Sequence, residues 1–470
     1  MSKEVKLEDI VSLCKRRGFI YQGSEVYGGL AGTWDYGPLG VQLKRNIESL
    51  WWKTFVEDRD DMYGVDASIL MNQKVWQASG HAEGFNDPLV ECQNCKARLR
   101  ADHIEKDKCP VCGTVGKFSE PRQFNMMFKT NVGPVEDIPK FKFNEDNSVK
   151  SIETLDFIHE IDSNQVVKSI TKNDPSVSYL RPETAQGIFT NYKNVLDSFY
   201  PDLPFGIAQI GKAFRNEISP RDFVFRSREF GQMEIEYFIP EADWKKEFEK
   251  WVKDIHDFLD KLGLPKDKVH ELEVPADDRA HYSKRTIDFE FDFPHKRDEL
   301  LGLAYRTDFD LGNIQRASGR NMEYRPKDGS KPFVPHVIEP SFGIERAVMA
   351  VLTSAYREDE VEGEKRVYLA LPEHLAPVKV AVSPLLKNKP ELVKKAQEVY
   401  KMLKKEFGNV MYDDNGNIGK RYRRQDEIGT PYCVTIDFDT LEDDTVTLRN
   451  RDTTKQTRIK TTDIISKIRT

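Results

Sequence analysis

Between residues 205 and 239, apolar and polar residues alternate with a period of two on either side of a polar, arginine-rich segment. Residues two apart on a strand share a face, so the pattern predicts two strands joined by a loop. Gln232, Glu234 and Glu236 fall on one face of the second strand, and Met233, Ile235 and Tyr237 on the other. On the first strand Arg215 and Glu217 point the same way, in line with the small residues Gly211 and Ala213. One face thus carries arginines and carboxylates over small residues, a floor that suits a flat base and a phosphate chain. The joining segment adds Arg221, Arg226 and Arg228, with Phe225 and Phe230 spaced among them. Arginine supplies forked donors to phosphates and a plane for stacking. A surface hairpin with solvated charges is the plainer reading of the same residues.

A period near 3.6 marks the helices. Residues 4–18 predict a short helix with Val5, Ile10, Val11 and Leu13 inward. Leu39, Leu43, Ile47, Leu50 and Trp51 recur on one side of a longer helix, with Pro38 well placed in its first turn. Over 241–263, Trp244, Phe248, Trp251, Ile255, Phe258 and Leu262 form a core-facing stripe. Residues 286–293 alternate cleanly and predict a strand with one polar face, and 299–311 predict another. Residues 339–352, EPSFGIERAVMAVL, read as a strand end, a turn at Gly343 and an apolar helix with Arg346 in its first turn. A helix N-terminus beside an arginine is an anion site. An ordinary surface arginine is the alternative, weakened by the second phosphate-type cluster in the hairpin. Residues 120–180 are polar and irregular, with strand-like segments at 149–155 and 166–170, and read as an insertion. After the apolar helix, REDEVEGEKR reads as a charged linker. From about Leu375 strands alternate with helices, the texture of a small α/β domain.

At 470 residues the chain has room for two or three domains, and 11% aromatic residues amid mixed charge argue against disorder. No run reaches 18 apolar residues, and MSKEVKLEDI lacks the charged-then-apolar order of a signal peptide. A membrane role is excluded on that pattern, and cytoplasm is the expected compartment. Four of the six cysteines form two CxxC knuckles, Cys92/Cys95 and Cys109/Cys112, with 13 residues between. That spacing fits a tetrahedral zinc ribbon, and with every ligand position filled by a thiolate the zinc is expected to be structural. A redox pair would need a thioredoxin-like strand–helix setting, which neither knuckle has. The net charge of −7 is unevenly spread: from Ala376 onward 19 Lys+Arg face 14 Asp+Glu. A basic C-terminal module on an acidic body suits a polyanion partner, or a solvated helix face.

Neither a GxxxxGK[ST] P-loop nor HIGH or KMSKS is present. Phe214-Arg215-Asn216-Glu217, the loop and Phe230…Glu234 instead resemble motif 2 of the class II aminoacyl-tRNA synthetases. Gly343-Ile344-Glu345-Arg346 resembles their motif 3, and GPLG before a long helix their motif 1. With YGGLAGTWDYGPLG, RPETAQGIF, the cysteine element, HYSKRTIDFEFDFP and VIEPSFGIER, the combination is closest to the homodimeric glycyl-tRNA synthetases. The resemblance implies an α+β architecture: an antiparallel-sheet catalytic core, a zinc-ribbon-like insertion and a C-terminal α/β anticodon-binding domain. The divisions expected are 1–84, 85–175, 176–370 and 371–470. It implies glycine, ATP and tRNA(Gly) as partners, a homodimer built on motif 1, magnesium carried with ATP, and structural zinc.

The resemblance also assigns roles. Arg215 would hold the α-phosphate and the amino-acid carboxylate, Arg346 the γ-phosphate and Glu217 the adenine amino group. Phe230 would stack on adenine, Arg226 would meet phosphates, and Glu299 would hold magnesium. Asn216, Phe225, Ser227, Arg228, Glu229, Leu300, Gly343, Ile344 and Glu345 complete the ATP neighbourhood. Glu183, Glu234 and Glu339 would surround the glycine ammonium, bordered by Gly231, Gln232, Met233, Pro340 and Phe342, with Arg100 closing over. The chemistry agrees: glycine offers an ammonium, a carboxylate and no side chain, so a site selects it by gripping the ammonium and blocking the Cα direction. Ser341 resembles the blocking residue, and steric exclusion discriminates more sharply than a hydrophobic pocket gaining one methylene. Lys420, Arg421, Arg423 and Arg424 form the basic cluster of the anticodon-binding domain. The competing readings are a class IIa synthetase for proline, threonine or histidine, and a non-catalytic nucleic-acid-binding relative. The acids with Ser341 disfavour the first. Retention of Arg215, Glu217 and Arg346 disfavours the second.

Overall fold

The computed structural model describes residues 5–133, 140–143, 149–153, 158–159, 177–361 and 363–469. The chain opens with helix α1 (Leu7–Arg17), which buries Ile10, Leu13 and Cys14, and α2 (Pro38–Trp52), with proline in its first turn as expected. A seven-stranded sheet forms the body: β1 (Met62–Gly64), β2 (Phe205–Phe214), β3 (Glu229–Ile239), β4 (Val269–Glu273), β5 (Arg285–Asp292), β6 (Arg297–Thr307) and β7 (His336–Gly343). Their spatial order is β4-β5-β6-β7-β3-β2-β1, antiparallel except for the β1–β2 pair.

The period-two pattern decides which face does what. Met233, Ile235 and Tyr237 of β3 and Phe342 of β7 enter one core with Trp51, Phe55, Trp251 and Phe258, delivered by α2, the turn that extends it and α4 (Trp244–Lys261). Phe342 meets Trp51, Phe55 and Phe258 at ring-centroid distances of 6.1, 5.7 and 5.5 Å. The opposite face is apolar only at one end, where Phe205, Ile207, Phe238 and Val337 pack under α3 (Ala185–Phe199). At its other end the same face is lined by Gln232, Glu234, Glu236, Glu339 and Ser341. The site therefore occupies the part of the sheet that no described helix covers.

Four expectations are corrected. The strand expected over 299–311 stops at Thr307, whose φ of +61° breaks the extended run, and helix α5 (Phe309–Ser318) follows. Arg215 and Glu217 lie past the end of β2: Phe214 closes the strand, and a tight turn in which Glu217 N–H donates to Arg215 O brings both side chains to the cleft. The expected charged linker is a two-stranded hairpin, Tyr356–Val361 with Glu364–Leu369. Its Arg366 is fully buried, bound to Asp426 and to the carbonyl of Arg451 in the C-terminal domain, so the hairpin is a strut. The segment 166–170 lies outside the described residues.

The C-terminal domain has a five-stranded mixed sheet with Pro390–Phe407 packed on it, as the alternating texture predicts. Its basic cluster is the fourth correction. Arg421 is 2% exposed and donates to the carbonyls of Pro384, Asp414 and Gly416, while Arg424 pairs with Asp413. Lys420 stays exposed. Exposed lysines gather instead on Pro390–Phe407, where Lys394, Lys401, Lys404 and Lys405 recur at helical spacing. No described helix is long and apolar enough to cross a membrane.

Candidate active site

Two cavities adjoin on the uncovered end of the sheet. The first, ≈ 280 Å³, is walled by Arg100, Arg215, Arg226 and Arg346, with Glu217, Glu299 and Glu345 among them and Phe225 and Phe230 as apolar surfaces. The second, ≈ 270 Å³, is walled by Glu183, Glu234, Glu339, Asp288 and Ser341. Arg215, Gln232, Glu299 and Ser341 line both. A larger hollow, ≈ 950 Å³, is bordered by Val5 and Asp9 near α1 and contains none of the candidate site residues.

In the first cavity, four guanidiniums crowd. Burial lowers the proton affinity of Arg226, and Arg100, Arg221 and Arg346 add repulsion that Glu217 only partly offsets. Arginines held this close call for a polyanion. Arg346 extends from the first turn of α6 (Ile344–Ala355), lies 4.4 Å above the Phe225 ring and contacts the Glu299 carboxylate at 3.1 Å. Arg215 donates to Pro182 O at 3.1 Å and lies over Phe230 and Phe85. Arg100 reaches the cavity from the insertion, fixed by Asp87 and Asp102.

In the second cavity the predicted acids converge. Glu234 accepts from Thr184 Oγ1 at 2.5 Å and from Ser341 Oγ at 2.8 Å. Glu339 is bound by Arg306, which also grips Asp310 through Nε and Nη2 at 2.8 and 2.9 Å. Glu183 faces His81 at 3.3 Å. Burial drives Glu339 up to about 8; Arg306 opposes this, while Glu234 and Glu183 add to it. Burial and then Glu183 raise Glu234, against hydrogen bonds from Thr184 and Ser341. Burial also acts to raise Glu183, but His81, Arg306 and Arg215 outweigh it and hold the group near 2. A small cavity with this much unneutralised acid suits a compact cation such as an ammonium group.

Several residues expected at the site stand elsewhere. Arg228 clamps the carbonyls of Glu217 and Ala31 and braces the loop. Glu229 pairs with Lys212. The side chains of Met233, Phe342 and Ile344 belong to the core behind the sheet, and strand alternation turns Pro340 the same way. Asn216 donates its backbone N–H to Met126 O, and Glu345 accepts from Gly231 N–H at 2.7 Å, tying α6 to β3. Ser227 is buried and donates to Val224 O, and Leu300 and Gly343 line the first cavity.

Sequence reading passed over Arg306, Asp310, Thr184, Gln186, His81 and Asp288. One signal was available: Arg306 is a lone cation in the run LLGLAYRTDF. Asp288 lies across from Gly302, and a methyl placed there would sit 3.8 Å from Asp288 Oδ1 and 4.0 Å from Glu299 Oε1. Burial and then Glu299 and Glu290 push Asp288 up to about 7, so the pair carries negative charge a divalent cation would relieve. In the insertion the Sγ atoms of Cys92, Cys95, Cys109 and Cys112 lie within 4.8 Å of one another. The Cys92–Cys112 and Cys95–Cys109 separations are 3.7 Å, against about 3.8 Å for thiolates at tetrahedral corners about 2.3 Å from zinc. The donor set fits zinc.

Residues 168–355 match the model for the tRNA synthetase class II core domain (G, H, P, S and T), and residues 379–470 that for an anticodon binding domain. A glycine–tRNA ligase of Borrelia hermsii is 45% identical over 473 residues, covering 99% of this chain and 97% of its own length. One from Treponema denticola is 44% identical over 478 residues with the same coverage. One from Clostridium acetobutylicum is 45% identical over 490 residues, covering 98% of this chain and 97% of its own. Similarity of that extent, with both domain models matched in order around an arginine-walled and an acid-walled cavity, places this chain in the glycine–tRNA ligase family of class II aminoacyl-tRNA synthetases.

Proposed function

We propose that the protein activates glycine with ATP and transfers it to tRNA(Gly), with the arginine-walled cavity holding ATP and the acid-walled cavity holding glycine. The observation that carries this reading is the junction: Arg215, Gln232, Glu299 and Ser341 border both cavities, so a carboxylate and an α-phosphate would meet there. The glycine carboxylate attacks the α-phosphorus, and the bond to the leaving pyrophosphate breaks. A ribose hydroxyl of the tRNA terminal adenosine (the 3′ one, by family resemblance) then attacks the adenylate carbonyl and AMP leaves. No protein nucleophile is needed; orientation and charge stabilisation supply the rate. Arg215 bridges the two reacting anions, Arg346 and Arg226 take the outer phosphates, and Phe230 and Glu217 receive the base. Magnesium, held by Glu299 with Asp288 beside it, would neutralise phosphate charge. Glu183, Glu234 and Glu339 hold the ammonium, and Ser341, anchored on Glu234, fills the Cα direction.

Amino-acid-dependent ATP–pyrophosphate exchange without tRNA, run across all twenty amino acids, tests this. Exchange with glycine alone is expected, and Ser341→Gly should admit alanine with a gain of about tenfold or more in relative kcat/KM. Exchange with a larger amino acid in the parent protein would overturn the acid-cavity assignment. No exchange at all would favour a non-catalytic nucleic-acid-binding role.

We also infer a symmetric cytoplasmic homodimer built on α2, with structural zinc in the insertion and domains divided near 84, 175 and 370. In the loop that precedes α2 in the chain, Val26 and Tyr27 are each 92% exposed and Leu30 is 56% exposed, apolar surface a second copy would cover. Light scattering and metal analysis on one preparation should give a dimer mass and one zinc per chain. A monomer that is fully active, or a metal-free folded protein, would remove the respective inference.

A further inference from the structure

Glu236 follows Glu234 by two residues on β3 and so shares its face, one step deeper in the sheet. It is 0% exposed, and neither carboxyl oxygen receives a hydrogen bond from any donor among the described residues. The register that pairs Gln232 with Gly343, Glu234 with Ser341 and Tyr237 with Ile338 sets Glu236 directly across from Glu339. On its other side Glu236 lies across from Ile207, which offers no charge. Like charges directly opposed on a sheet repel. Arg306 offsets the conflict only in part: its Nε and Nη2 donate to Asp310 and its Nη1 to Glu339, and it makes no hydrogen bond to Glu236. The charged groups that act on Glu236 are Glu339 from β7, Arg306 from β6, Glu234 from β3 and Asp310 from the following helix; burial and Glu339 together raise its proton affinity far above the usual range. The register sets the two carboxyls side by side on one face of the sheet, and Glu236 is the one not lining the cavity.

We propose that Glu236 is a positioning residue for ammonium recognition: as the neutral acid it donates its O–H to Glu339, keeping Glu339 ionised with a lone pair turned toward the cavity. The inference rests on the glycine-cavity reading above. Glu236 touches no substrate and loses no proton during the reaction. Its hydrogen bond supplements that of Arg306, so that Glu339 can stay charged in a buried setting where burial and two neighbouring acids favour its protonation.

The test measures glycine KM, ATP KM and the pH dependence of glycine KM by pyrophosphate exchange for the parent, E236Q, E236M and E339Q. In the parent, a proton on Glu339 competes with the ammonium, so glycine KM falls as pH rises toward 8. E236M, similar in volume but without a donor, should raise glycine KM about tenfold and shift that limb upward by about one pH unit, with ATP KM within twofold. E236Q keeps a neutral donor and should return both glycine KM and the limb to near the parent. A parental KM and limb in E236M would reduce Glu236 to a space-filling role and overturn the proposal. An E236Q as impaired as E236M would overturn it too, by showing that a charge is needed there. If E339Q leaves glycine KM unchanged, the glycine-cavity assignment itself fails, and this inference with it.

Discussion

Arg215→Ala is expected to lower the kcat of glycine-dependent exchange by about 10²–10³-fold while leaving the melting curve in place. Among the described residues Arg215 is the only cation common to both cavities, so on the proposed reading it is the one placed to touch the glycine carboxylate and the α-phosphate together. Both carry negative charge that must be brought within bonding distance, and a preoriented guanidinium in a water-poor cleft is worth most at that moment. Its structural investment is small: one hydrogen bond to Pro182 O and two ring contacts among the described residues. The loss should therefore fall on kcat more than on ATP KM, which Arg226 and Arg346 maintain. Arg215→Lys should recover only part of it, because an ammonium cannot fork between two anions. A rate for the alanine variant within tenfold of the parent would mean that the reaction does not occur at the junction.

How much of this was legible in the sequence follows from where each charge finds its partner. The strands that build the site read well, because β3 and β7 have one face in a core and one in a polar cleft, which is what a period of two encodes. Gln232, Glu234, Glu339 and Ser341 stand together because register aligns them; that the acids would converge on an ammonium was implied by the family resemblance, not by their spacing. Arg228 and Arg421 misled for a single reason. Their partners are backbone carbonyls, which leave no mark on the sequence, so an arginine clamping a loop looks identical to one awaiting phosphate. The hairpin at 356–369 misled in the opposite way. Its run of charges resembles a solvated linker, yet Arg366 is buried, gripping Asp359 of its own hairpin and reaching Asp426 in the next domain.

The break at Thr307 hid the most consequential pair. Read as one strand, Arg306 and Asp310 are merely two residues on a common face. Once the chain turns into a helix at Phe309, Asp310 swings back to meet the guanidinium bidentately, and Gln186 donates to it at 2.9 Å. The positive φ that allows this occurs at a threonine, where sequence gives no cue such as glycine would.

That pair sets the second large effect: Arg306→Met should destabilise the synthetase body by about 3–5 kcal/mol and abolish glycine activation. Arg306 is 1% exposed, lies 3.8 Å from the Tyr282 ring centroid, and is the counter-ion to Glu339 and Asp310. Removing it leaves buried carboxylates without compensation, a larger penalty than losing a surface pair. The sign of the pH dependence follows from Glu339, already raised to about 8 by burial and the neighbouring acids against the pull of Arg306. A carboxyl with raised folded-state affinity binds its proton in the folded protein while the unfolded chain has released it, so its effect on stability becomes more unfavourable as pH rises from about 4.5 through that raised value. Without Arg306 the window extends higher, so parent and variant lose stability in parallel below about pH 7.5, and the deficit of the variant should widen as pH rises from about 7.5 to 9.5. Melting both proteins across that range measures it. A deficit independent of pH would assign the loss to packing against Tyr282 and Phe189, whereas parental stability at pH 8.5 would mean that the buried acids find another cation.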